Sequence, residues 1–127
     1  MMGRLSVLVV DDDPVILRLL EVNFQLEGID VTTACDGDEG VERARQSSPD
    51  VVISDIMMPK VNGLELLAML REDPLTAALP VILLSAKAQV ADVQRGLELG
   101  AADYITKPFD PLELIQRVYR VLAKSPR

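Results

Sequence analysis

Short apolar runs alternate along this chain with stretches that are apolar on one side only. Aliphatic and β-branched residues gather at Leu5–Val10, Asp30–Ala34, Val51–Ser54, Val81–Leu84 and Asp103–Thr106, each run bounded by Asp, Gly, Pro or Ser, which is the pattern of strands. Between them apolar positions recur at helical spacing: Ile16, Leu19, Leu20 and Phe24 in one stretch, Ile115, Val118, Tyr119 and Leu122 in another. Asp13-Pro14 and Asp110-Pro111 each set a capping carboxylate before a proline suited to the first helical position, and Gly28 and Gly100 supply stops. Weaker helices are expected over Asp38–Gln46, Leu64–Glu72 and Gln89–Leu99.

Repeated strand–helix units, with the first and third strands almost wholly apolar, predict an α/β fold. Its parallel sheet is covered on both faces by right-handed crossovers, giving a doubly wound sandwich. In such folds ligands sit beyond the carboxyl ends of the strands. A length of 127 residues suits one domain, because a single core closes at roughly 100–150 residues. We expect a core over residues 5–123, with 124–127 a tail or the start of a linker.

Composition narrows the chemistry. Thirteen Lys+Arg against 20 Asp+Glu leave a net charge of −7, which repels nucleic-acid phosphates and anionic membranes, so neither is an expected partner. No apolar run approaches the roughly 18 residues of a membrane span, and Met1–Leu5 is too short for a signal peptide, so a cytoplasmic location is expected. Cys35 has no second cysteine to pair with and is expected to be a small buried hydrophobe. The count of zero histidines removes Ser-His-Asp and Cys-His catalysis, most zinc sites and any phosphohistidine role. Carboxylates and lysine must carry the chemistry.

Those groups sit at strand ends. The first strand runs into Asp11-Asp12-Asp13, the third into Asp55, the fourth into Ser85 and the fifth into Lys107. Three carboxylates about 5 Å apart repel by roughly 3 kcal/mol per pair at an effective dielectric near 20, so stability does not explain them. A hard divalent cation held by oxygen ligands relieves the repulsion, and Mg²⁺ leaves coordination places for phosphate oxygens. Lys107 and the Ser85 hydroxyl add positive charge and a donor on the other side of a phosphoryl group. Taken singly, Asp13 is a helix cap, and each other residue could be an ordinary turn. Their convergence from separate strands is what argues for a site.

The same residues carry a resemblance: Val9-Val10-Asp11-Asp12-Asp13, Asp55-Ile56-Met57-Met58-Pro59 with Asn62-Gly63, Leu84-Ser85-Ala86-Lys87, and Tyr104-Ile105-Thr106-Lys107-Pro108-Phe109. In order and spacing, from Leu5 to Ala123, they resemble a response-regulator receiver domain of two-component signalling, of the chemotaxis-regulator type. The resemblance implies a five-stranded flavodoxin-like three-layer sandwich of strand order 2-1-3-4-5. It also implies that Asp55 accepts a phosphoryl group and that Mg²⁺ is held by Asp11 (through water), Asp12, Asp55 and the Met57 carbonyl. Ser85 and Lys107 then grip the phosphoryl group, Tyr104 switches with Ser85, and a cis bond precedes Pro108. Met57 and Met58 become apolar neighbours that limit water at the acceptor.

Such a chain is a signalling phosphoacceptor, not an enzyme turning over external substrates. Its donor is a histidine kinase or phosphotransfer protein, since it has no histidine itself. The resemblance further implies an output face of helix 4, strand 5 and helix 5, carrying Lys87, Arg95, Glu98, Asp103, Glu113 and Arg117 near Ala91, Ala102 and Leu112, for a homodimer involving Arg117 or, alternatively, for docking of a different partner. Three rivals are weighed. An aspartate-nucleophile Mg²⁺ phosphatase matches the spacing of Asp11 and Asp13, but Pro14 follows and no later carboxylate pair appears. A receiver-like module that is never phosphorylated is opposed by the complete set Asp11, Asp12, Asp55, Ser85 and Lys107. A nucleotide- or flavin-binding module lacks a glycine-rich phosphate loop.

Overall fold

The computed structural model describes residues 4–86 and 90–124. The elements alternate throughout: β1 (Ser6–Val10), α1 (Pro14–Leu26), β2 (Asp30–Ala34), α2 (Gly37–Ser47), β3 (Val51–Asp55), α3 (Gly63–Glu72), β4 (Val81–Ala86), α4 (Val90–Glu98), β5 (Asp103–Lys107) and α5 (Pro111–Lys124). All neighbouring strands are parallel, in the order β2-β1-β3-β4-β5. This is the expected α/β sandwich, and strand order reverses between β1 and β3.

Period-two alternation divides the core into two layers. Val7, Val9, Ile53, Ile82 and Leu84 face α1 and α5, whereas Leu8, Val10, Val52, Val81 and Leu83 face α2 and α3. A strand covered on both faces reads as a near-continuous apolar run. Accordingly β3 is buried along its whole length, while the edge strands β2 and β5 are only partly buried.

Helix ends follow the local chemistry. Asp13 accepts from the Val15 N–H, and Asp110 accepts from the Leu112 N–H, as the Asp-Pro pairs predict. Gly28 and Gly100 close α1 and α4 in the left-handed region, at φ 77° and 99°. Asn62 and Glu65 exchange side-chain to backbone hydrogen bonds at the start of α3, a capping box readable in the Asn-x-x-Glu spacing.

Three expectations are corrected. Leu19 and Tyr119 face solvent; the buried stripes are Leu20 and Phe24 on α1 and Leu114, Ile115, Val118 and Val121 on α5. Both helices carry more apolar residues than the sheet covers, so two stripes at helical spacing compete in the sequence. Cys35 is exposed: Ala34 takes the last inward position of β2, and the chain turns outward into the Asp36 cap. Its thiol is raised above the ordinary range by the hydrogen bond and charge of Glu39, which disfavours the reactive thiolate. Lys87 and the expected start of the fourth helix at Gln89 lie outside the described residues.

α4 is the most lightly packed helix. Its buried residue is Gly96, where a Cβ would strike the Leu83 side chain. At its far end Arg71 of α3 donates to the carbonyls of Ala77, Leu79 and Gly100, tying the loop after α4 to the body of the fold.

Gly63 begins α3 directly against β3. A Cβ there would meet the Asp55 carbonyl oxygen and the Ile56 Cα, both backbone atoms with little freedom to move. Gly63→Ala is therefore expected to lower stability by about 1–3 kcal/mol, the usual effect of overpacking, read as a lower urea midpoint.

Candidate functional site

The carboxyl ends of β1, β3 and β5 bring Asp11, Asp12, Asp55 and Lys107 together. Carboxylate oxygens of Asp11, Asp12 and Asp55 lie within 4.8 Å of one another. The Lys107 ammonium is 2.9 Å from Asp11 Oδ2 and 3.3 Å from Asp55 Oδ2. Asp11 is fully buried, and its other oxygen accepts the Asp13 N–H at 2.9 Å. Asp12 is exposed at the mouth of the cluster. The three members of the acidic triplet thus divide their work: one is held in place, one faces outward and one caps α1.

Asp55 is 7% exposed. Its position is set by the β3–β4 register, which pairs it with Leu84 and is continued by the Ile56 N–H donating to the Leu84 carbonyl. Ser85 follows Leu84 immediately and is buried. It lines a hollow of about 130 Å³ together with Ala86, Val90, Val93, Tyr104 and Thr106. Tyr104 itself is 39% exposed, so its ring borders this hollow while remaining partly in solvent.

Met57 and Met58 separate. Met57 is 62% exposed, whereas Met58 packs into the α2–α3 side of the core. Of the two methionines, Met57 is thus the one that presents apolar surface to solvent, whereas Met58 is taken up in the core. The Lys107–Pro108 peptide is cis, as the resemblance implied.

Burial pushes the Asp55 carboxyl above the ordinary range, the Asp11 charge adds to this, and Lys107 only partly offsets them. For Lys107, burial acts to lower the pKa, but the hydrogen bond and charge of Asp11, with Asp55 beside it, leave it raised overall. The ammonium is therefore charged at neutral pH. Three carboxylates against one ammonium leave an uncompensated negative site. Its donors are all oxygen, which suits a hard divalent cation and not a soft one.

The relationship of Asp103 to Arg117 was not foreseen. Arg117 is bound within its own chain to Asp103, Glu113 and the Tyr104 carbonyl, so it is not a free cation awaiting a second copy. The sequence interval of fourteen residues spans a strand and a helix, and no local pattern announces such a pair.

The raised Asp55 carboxyl has a consequence for stability. The folded chain holds this proton more tightly than the unfolded chain, so stability falls as pH rises from the ordinary carboxyl range through the raised value, and the deficit is complete above it. Asp55→Asn is therefore expected to melt at a higher temperature than the parent at pH 7 without divalent cations. The difference should shrink below the ordinary carboxyl range, as thermal scans across pH would measure.

The family model for the response regulator receiver domain matches residues 7–119. Among curated relatives, the alkaline phosphatase synthesis transcriptional regulatory protein PhoP of Bacillus subtilis is 44% identical over 120 residues, covering 94% of this chain and 49% of that protein. The DNA-binding response regulator MtrA of Mycolicibacterium smegmatis is 41% identical over 122 residues, covering 96% and 52%. This chain spans about half the length of the curated relatives it matches. Among solved structures, the receiver domain of the Francisella response regulator 1452 is 39% identical with a TM-score of 0.86, covering 95% of this chain and 98% of that one. Chemotaxis protein CheY4 of Vibrio cholerae is 32% identical with a TM-score of 0.88, covering 94% and 99%. With its strand order and its polar strand ends, this chain belongs to the response regulator receiver domain family of two-component signalling.

Proposed function

We propose that Asp55 is the phosphoryl acceptor of this receiver, with Lys107 and Ser85 as its assisting groups and Tyr104 as the residue that reads the result. The observation that carries this reading is the cluster itself: a buried carboxylate within 4.8 Å of two others and 3.3 Å from an ammonium. Asp11, Asp12 and Asp55, with the Met57 carbonyl, are the groups that would hold Mg²⁺. When bound, Mg²⁺ supplies positive charge to the carboxylates and to phosphoryl oxygens.

The chain's own residues do the rest. A carboxylate oxygen of Asp55 forms the new bond to phosphorus as the phosphorus–nitrogen bond of a donor phosphohistidine breaks, and the imidazole departs with the electron pair. Lys107 stabilises charge on the transferring oxygens and Ser85 donates its hydroxyl to one of them. Hydrolysis of the acyl phosphate resets the module, so its catalysis is confined to its own phosphorylation and dephosphorylation. Phosphorylation adds about −1.5 to −2 charge at the sheet edge and biases the loops after β3 and β4. Residues 5–123 act as one receiver unit, and the net charge of −7 over the whole chain opposes direct contact of this unit with nucleic acid. We assign it to the cytoplasm, where a kinase presents its phosphohistidine.

The α1 surface supports a helical donor. Val15, Leu19, Val22 and Leu26 are all exposed and follow the alternating four- and three-residue spacing of a coiled-coil seam. Val15 lies two residues beyond Asp13, so a helix laid along this stripe ends beside the acidic cluster. Homodimer formation through α4, β5 and α5 would rest on exposed groups such as Arg95, Glu98 and Arg120, since Arg117 is engaged within its own chain.

Two measurements test this. Phosphoramidate with Mg²⁺ is expected to add one phosphoryl mass to the intact chain, with none in Asp55→Asn and little when Mg²⁺ is chelated. Asp12→Ala should weaken Mg²⁺ binding strongly, while Asp13→Ala leaves it intact and lowers stability by about 1 kcal/mol. Labelling of Asp55→Asn at full yield would move the acceptor elsewhere.

Leu19→Glu is expected to slow transfer from a phosphorylated histidine kinase by about tenfold or more, the effect of losing one buried contact at an interface. Its labelling by phosphoramidate should stay at the parent rate. Equal slowing with both donors would remove the docking role.

A further inference from the structure

β5 is the last strand of the sheet, flanked by β4 on one side only. In an extended strand the N–H and C=O of one residue point to the same side. At Tyr104 both are taken by side chains. Its N–H donates to Asp103 Oδ1 at 2.8 Å, and its carbonyl accepts from Arg117 Nη1 at 3.1 Å. The same Arg117 nitrogen lies 3.0 Å from each Asp103 oxygen, and the other terminal nitrogen reaches Glu113 at 3.5 Å. Both side chains are about three-quarters buried. Asp103 and Arg117 thus close a ring over the open edge of the sheet at one residue, and that residue is the one whose ring borders the hollow beside Ser85.

We propose that Asp103 and Arg117 are positioning residues for Tyr104: they pin the two peptide groups flanking its Cα, so that the ring can turn about its side-chain bonds while the strand stays fixed. This rests on the switching role given to Tyr104 above. Two peptide groups held from outside fix φ and ψ while leaving the ring free to pass between the rotamers that this backbone allows. A ring that must enter a hollow of about 130 Å³ gains from a backbone that does not slide as it moves. The planar guanidinium suits this, because its several donors reach a carboxylate and a carbonyl together, which a lysine ammonium on a flexible stem holds less firmly. The same ring also covers the strand edge that would otherwise invite pairing with another chain.

The test compares the parent with Arg117→Met, Asp103→Ala and the double variant by amide hydrogen exchange and by NMR of the tyrosine rings. Each single variant is expected to speed exchange of the Tyr104 amide by about tenfold or more, with the Val9 and Ile53 amides unchanged, and the double variant should add little, as for groups acting as a unit. Phosphoramidate labelling of Asp55 should stay within about twofold of the parent, because neither residue touches the acceptor, while the phosphorylation-dependent shift of the Tyr104 ring signals falls at least about threefold. A Tyr104 amide as protected in Arg117→Met as in the parent would overturn the proposal, as would an undiminished ring response. If Arg117→Met loses protection at Val9 and Ile53 as well, Asp103→Asn decides: it keeps an acceptor for the Tyr104 N–H but weakens the ion pair. A parent-like ring response in that variant overturns the clamp. Should the parent itself take no phosphoryl group, the functional reading fails, whereas the Tyr104 exchange comparison in unmodified protein still tests the clamp.

Discussion

Like charges forced together at the edge of an apolar sheet are the constraint on which this molecule turns. Asp11 and Asp55 are buried because the strands that deliver them are covered on both faces, and Asp12 is exposed because the chain has by then left the sheet. One ammonium, that of Lys107, lies between the two buried carboxylates. The fold tolerates an arrangement that opposes its own stability, and the groups left uncompensated are those able to receive a cation and a phosphoryl group. Strain of this electrostatic kind is a common mark of function.

Most of the architecture was legible in the sequence, because a doubly covered parallel sheet has to write itself as unbroken apolar runs. Val7–Val10 and Val51–Ile53 could hardly be anything else. The polar strand ends were equally plain, since Asp55, Ser85 and Lys107 interrupt apolar or β-branched segments. What misled was the helical periodicity. Leu19 and Tyr119 share the spacing of the core residues yet face solvent, and only the width of the sheet decides which of two stripes is covered. Cys35 failed for a related reason: a step of one residue past Ala34 at the end of β2 changes inside to outside.

Long-range polar pairings were the least legible. Arg117 with Asp103 joins a strand to the following helix, and Arg71 joins three carbonyls from two loops. Neither depends on local spacing, so no pattern in the chain announces them. Both work on the segment from α4 to α5. Arg71 fixes the far end of α4, and Arg117 fixes the middle of β5. The stretch from the end of α4 to the middle of β5, which follows the lightly packed helix, is thus held by two guanidinium anchors.

That helix meets the sheet through Gly96 and the partly buried Val93. A helix seated by a large side chain must extract it from a pocket in order to move, at a cost of several kcal/mol. With Gly96 as its fully buried contact and Val93 only partly buried, α4 has no large side chain set deep in a pocket of the sheet. Two placements of such a helix can differ little in free energy. Reversing a population from 1:99 to 99:1 takes about 5.5 kcal/mol of differential binding, and a smaller starting bias takes less. On the proposed function, a covalent charge added at the neighbouring strand ends would act on such a balance, and its hydrolysis would reverse it.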